Sequence, residues 1–173
     1  LLKKVNDEDI IFIENDHLRI SDINFDLWLN SLETFALKLK NKHTSIIITT
    51  PTPVFNYGTE NKCREHSPQW FNKYSRIECK FEIPYDSKEL DFLKTRRNKL
   101  EGVAEKNKNI YLFDKTKVMC SNEKCNYILN DELLYFDRTH ISNYSAKTVL
   151  APRILDFINE KELIRKSENL IDK

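Results

Sequence analysis

Ser45-Ile46-Ile47-Ile48-Thr49-Thr50, closed by Pro51 and Pro53, is the stretch on which the fold turns. All five residues after Ser45 are branched at Cβ, which suits a pleated strand, and a proline lacks the N–H that a ladder needs. The centre of the run is continuously apolar rather than alternating, the pattern of a strand covered on both faces. Upstream, Asp9-Ile10-Ile11-Phe12-Ile13 is another such run, and downstream Asn109-Ile110-Tyr111-Leu112-Phe113 is a third. Between the first two, residues 25 to 39 set Phe25, Trp28, Leu29, Leu32, Phe35, Ala36 and Leu39 at three- and four-residue spacing. That is one stripe of an amphipathic helix, with Asp22 as its candidate N-cap. Between the second and third, Asp86-Ser87-Lys88-Glu89 has capping-box spacing and opens a helix carrying Leu90, Leu93, Arg97, Leu100 and Ala104. Tyr127 to Leu129 and Leu133 to Phe136, joined by Asn130-Asp131, read as a small hairpin. A last helix, capped by Ser142 and kinked at Pro152, completes the order β, α, β, α, β, hairpin, α. This alternation predicts an α/β three-layer sandwich, with a parallel sheet, right-handed crossovers and helices on both faces.

The 173 residues are 40% hydrophobic and 32% charged, with 28 basic against 27 acidic side chains. One domain of this length buries roughly two-thirds of the surface of its unfolded chain without metal or disulfide staples. A formal net charge of +1 supplies no global field for nucleic acid, and no nucleic-acid partner is expected. No apolar run approaches the roughly 20 residues that span a bilayer. The chain opens Leu1-Leu2-Lys3-Lys4 with neither Met nor a signal-like apolar segment, so it reads as a fragment. The only glycines are Gly58 and Gly102, neither in a phosphate-cradling loop, which argues against dinucleotide and nucleoside triphosphate chemistry. No cofactor is expected.

Parallel sheets bind ligands outside the carboxyl ends of their strands. The segments that follow those ends hold the four cysteines together with His17, His66 and His140. The sharpest local feature is Asp137-Arg138-Thr139-His140: an Asp three residues before a His on a tight turn can hold one ring nitrogen and leave the other as a base. The bland alternative is a turn Asp beside a surface His. Residues 51 to 85 make an unusually long connection, and Trp70, Phe71 and Tyr74 within it suit an ordered lid.

Leu112-Phe113-Asp114, then Cys120 and Cys125, then Leu134-Tyr135-Phe136-Asp137-Arg138-Thr139-His140-Ile141-Ser142, resembles the end of an SGNH hydrolase domain. More specifically, the run is similar to the extracytoplasmic SGNH domains attached to family 3 membrane acyltransferases, which modify surface polysaccharides. The resemblance implies an SGNH/flavodoxin-like fold and places Asp137 and His140 as members of a catalytic triad. It implies a periplasmic or extracytoplasmic domain tethered to the inner membrane, acting in O-acylation (O-acetylation) of polysaccharide such as lipopolysaccharide. The implied partners are an acylated donor, a surface glycan acceptor and a membrane acyltransferase portion of the same polypeptide.

Two departures follow. The family's nucleophile is a Ser in a Gly-Asp-Ser block after the first strand, and no such block occurs here. Block order puts it upstream of Leu1, so the expectation is a single SGNH-like domain over residues 1–173 that lacks its N-terminal strand. Ser21, Ser45 and Ser67 lack the strand-turn-helix setting of a nucleophile. The second departure concerns the oxyanion hole, which SGNH enzymes at large build with the Asn of a Gly-x-Asn-Asp block. Asp9-Ile10-Ile11-Phe12-Ile13-Glu14-Asn15-Asp16 resembles it with Glu14 near the glycine's place, making Asn15 the candidate oxyanion donor. Asn-Asp at a strand end is also ordinary turn chemistry.

Cys63, Cys79, Cys120 and Cys125 allow three pairings. Local pairing, Cys120 with Cys125 and Cys63 with Cys79, would staple the two loops beside the site, and the resemblance to a periplasmic domain favours it. A zinc site with His43 or His66, and buried free thiols, are the alternatives. For function, the alternative to acyl transfer is a module without a nucleophile that binds glycan or a protein partner.

Overall fold

A computed structural model describes residues 9–13, 21–54, 82–84, 88–121, 124–130, 132–136 and 140–163. The three apolar runs form the central sheet: β1 (Ile10–Ile13), β2 (Ser45–Thr49) and, after β3 (Glu82–Pro84), β4 (Ile110–Phe113). They pair in parallel in the order β1-β2-β4. The register sets Ile11, Ile46 and Ile110 in one row and Phe12, Ile47 and Tyr111 in the next. Because successive side chains point to opposite faces, the two rows belong to two cores.

One core lies under α1 (Asp22–Leu39) and α2 (Lys88–Lys106). Phe25, Leu29, Leu32, Ala36 and Leu39 of α1 pack with Ile46, Ile48, Ile110, Leu100 and Val103. The α1 stripe is thus the one its spacing predicts, but the helix starts earlier and its N-cap is Ser21, whose side chain accepts from the Asn24 N–H at 3.4 Å. Asp22 sits one residue inside, and its carboxylate meets Arg96 of α2 at 3.0 Å. The Arg96 guanidinium lies 4.1 Å from the Phe25 ring centroid and 4.9 Å from that of Phe92, so a charge in the helical stripe is buried between aromatic faces.

The other core is covered by the last third of the chain. After β4 come α3 (Lys115–Met119), β5 (Cys120–Ser121), β6 (Lys124–Asn126), β7 (Ile128–Leu129) and β8 (Glu132–Leu133). Ile47 and Phe113 pack there with Met119, Tyr127, Leu134, Tyr135 and Leu150. The hairpin is β7 against β8, turning through Asn130, whose φ of 53° is the left-handed conformation that asparagine tolerates. A feature without a clear sequence signal is a small antiparallel sheet in the order β3-β6-β5, built from strands too short to show a pattern.

The last helix differs from expectation in its winding. Residues Ser145–Leu150 form a π-helical turn, and α4 (Ala151–Glu160) follows with Pro152 in its first turn. The Ala151 N–H reaches back to the Ala146 carbonyl. Pro152 has no N–H to give the carbonyl four residues earlier, and the turn that precedes it is widened to a π-helical one.

β1 is also less covered than a continuous apolar run implies. β2 has Ile46, Ile47 and Ile48 fully buried, whereas Phe12 is 43% exposed. Among the described residues β1 is an edge strand with β2 on one side only.

Candidate active site

The carboxyl ends of the sheet are Ile13, Thr49 and Phe113, and a polar cluster stands just beyond the last two. Asp114 is the N-cap of α3: its Oδ1 accepts from the Thr116 N–H at 3.0 Å and from the Thr116 hydroxyl at 2.7 Å. The Thr50 hydroxyl donates to the same oxygen at 3.2 Å while accepting the Lys115 N–H at 2.9 Å. Thr50 therefore joins the end of β2 to the start of α3, across two strands. The other oxygen, Oδ2, lies 3.0 Å from Arg97 Nε, which hydrogen-bonds Glu101 at 2.9 Å. The Arg97 contact is thus an ion pair rather than a hydrogen bond, and among the described residues Oδ2 has no hydrogen-bond donor. Arg97, an interruption of the helical stripe in sequence, neutralises the carboxylate at the strand ends. Of these residues only Thr116 carries a faint sequence signal, the Asp-x-Thr spacing of a capped helix start.

His140 lies on the covering layer, in a loop closed by backbone bonds. The Phe136 N–H donates to the His140 carbonyl at 2.8 Å, and Tyr135 and Ile141 form an antiparallel bridge. Beneath it, Tyr135 is buried, stacked on Tyr127 with ring centroids 5.5 Å apart, and its hydroxyl faces the Met119 sulfur at 3.9 Å. Met119 ends the helix that leaves the carboxyl end of β4, so Tyr135 packs against that helix. On the other side, Ser142 accepts the Ser145 N–H at 3.0 Å and donates to the Leu133 carbonyl. Ser142 is the expected cap and also a tie back to β8. His140 itself is exposed.

Asp137 and Asn15 lie outside the described residues, as do Cys63, Cys79, Trp70, Phe71 and Tyr74. The other proposed cysteine pair is brought together. Cys120 and Cys125 face one another across the β5–β6 ladder with their sulfurs 2.01 Å apart, the spacing of a disulfide. Among the described residues no helix is long and apolar enough to cross a membrane.

No curated protein and no solved structure matches the chain. A family model described as an SGNH domain fused to AT3 domains matches residues 5–154, which takes in the whole parallel sheet and the His140 loop. The chain therefore belongs to the SGNH domain family whose members are fused to AT3 domains.

Proposed function

We propose that this domain performs the SGNH half of an O-acyl transfer to a cell-surface polysaccharide, in a polypeptide that also carries a membrane acyltransferase. Family membership supports an acyl-transfer or hydrolase-type role. The observation that carries the finer reading is the edge of β1: an all-apolar strand, unpaired on one side among the described residues, with Phe12 43% exposed. An edge of that kind is open to pairing with a further strand. In this reading a parallel strand pairs there and delivers the nucleophilic Ser to the carboxyl end of the sheet.

The chemistry then follows from the residue types. The Ser oxygen attacks the acyl carbonyl of the donor as His140 takes its proton, and Asp137 orients and stabilises the imidazolium. The amide of Asn15 donates to the oxyanion as the tetrahedral centre forms. The donor's leaving group departs with the proton from His140, leaving an acyl-serine ester. A glycan hydroxyl then loses its proton to His140, attacks the ester carbonyl, and releases the serine with its proton restored. Water in place of the glycan gives hydrolysis. The extracytoplasmic setting of this chemistry is part of the proposal.

The test uses the complete polypeptide containing this domain, an activated acetyl ester as donor, and His140→Ala beside the parent. The expected result is a loss of roughly 100-fold or more in kcat. Undiminished turnover by His140→Ala refutes the assignment. Failure of a serine-directed fluorophosphonate to label the polypeptide favours instead a module that binds glycan without catalysis, consistent with the absence of a glycine-framed Ser in these 173 residues.

A further inference from the structure

The amino end of the sheet, opposite the end that carries the proposed chemistry, holds a cavity of about 600 Å³. Its walls come from the starts of all three parallel strands and from the segments that follow α1, α2 and α4. Lys40, His43, Lys106 and Lys108 line it, with Glu162 as the carboxylate among the described residues. No ion pair or hydrogen bond from the side chains of these four basic residues is made within the described residues.

Lysines after a helix often serve its terminal carbonyls. Here amides already do that work. Ala36 is capped by the Asn109 side chain at 3.0 Å and Val103 by the Asn107 side chain at 2.9 Å. The Ala104 carbonyl takes the Asn107 N–H at 3.3 Å. Lys40, Lys106 and Lys108 thus bring three formal positive charges to the cavity wall, against the one negative charge of Glu162. Two of the three left-handed non-glycine residues among those described, His43 at φ 54° and Glu162 at φ 51°, also stand at this cavity. Leu37, 63% exposed, and the ring of Tyr111 supply apolar wall beside the charges.

We infer that this cavity is an anion site for a phosphoryl group, separate from the catalytic end of the sheet. Its volume falls in the range of small-ligand pockets and exceeds what a bare ion needs, so the group it takes carries further atoms against Leu37 and Tyr111. A phosphodiester lipid headgroup and a soluble phosphate ester share that chemistry.

Two probes distinguish these sources on the full 173-residue chain. Pyrophosphate is titrated while ¹H–¹⁵N spectra are recorded, and the chain is co-sedimented with phosphatidylcholine vesicles with and without one-quarter phosphatidylglycerol. The site predicts saturable shifts at the amides of Lys40, His43, Asn107 and Lys108, or retention that needs phosphatidylglycerol. Either response must weaken by roughly tenfold in Lys106→Gln/Lys108→Gln. It must survive in the control Lys117→Gln/Lys147→Gln, which removes the same charge elsewhere. Lys40→Gln is the second variant, should the double one unfold. Shifts with pyrophosphate alone assign a soluble ester, and retention assigns a lipid headgroup. The absence of both responses, or equal weakening in the control, overturns the site. Activity is not measured, so the outcome is independent of the proposed acyl transfer.

Discussion

Replacing Asp114 with alanine should destabilise the domain by about 3 kcal/mol, and replacing it with asparagine by only about 1. Removing the carboxylate deletes the N-cap of α3, worth about 1 kcal/mol. It also strips the acceptor from the Thr116 and Thr50 hydroxyls, which sit in a buried setting and cost about 1 kcal/mol each when left unmade. Those two hydroxyls are 3.5 Å apart and recover part of this by turning to one another. The Arg97 ion pair adds at most about 1 kcal/mol, since the Arg97 side chain is 30% exposed and solvent screens it. Asparagine keeps an acceptor oxygen for all three donors and gives up only the charge. Urea unfolding followed by circular dichroism resolves the difference: with a slope of about 2 kcal/mol/M, the alanine midpoint falls by about 1.5 M. Thr50→Val combined with Asp114→Ala should show a coupling of at least about 0.5 kcal/mol. If asparagine is as damaging as alanine, charge rather than hydrogen bonding holds the strand ends. A loss under about 1 kcal/mol for alanine would likewise refute the reasoning.

Three other perturbations follow from the same geometry. Reducing Cys120–Cys125, or replacing both with Ala, reopens a loop with a sequence separation of 5 and should cost about 2 kcal/mol by chain entropy; identical melting with and without reductant would contradict the pairing. Phe12→Ser should cost about 1 kcal/mol in the 173-residue chain, where Phe12 is 43% exposed. In the complete polypeptide it should cost about 3 kcal/mol or more, and equal losses in the two would remove the support for a strand on the edge of β1. Ser142→Ala loses a helix cap and the tie to Leu133, about 1 to 2 kcal/mol in chemical unfolding; an unchanged midpoint would show that the hydroxyl is dispensable.

The parallel sheet and the α1 stripe were legible because burial imposes a period on residues that touch the core. Ile46, Ile47 and Ile48 announce a covered strand, and Phe25, Leu29, Leu32, Ala36 and Leu39 one helical face. Ser142 as a cap and the Cys120–Cys125 pair were legible for a similar reason, since each is local in sequence. The polar cluster was not. Thr50 and Asp114 lie 64 residues apart, and nothing in either neighbourhood marks them as partners until β2 and β4 align. The basic cavity is a further case. Lys40, His43, Lys106 and Lys108 come from two distant segments and look like ordinary solvated residues in a chain of near-zero net charge.

The exposure of β1 marks the same boundary. Local composition settles that Ile10-Ile11-Phe12-Ile13 is a strand, because its side chains favour a pleated backbone whatever lies beside it. Whether that strand is central or at an edge depends on which elements supply its neighbours, and no residue within the run encodes that. By itself the sequence determined the type and order of the elements that build the parallel sheet and its helices. Only the tertiary structure decided which strand ends are tied together and which charged side chains meet, because those outcomes depend on groups that come together only after the chain has folded.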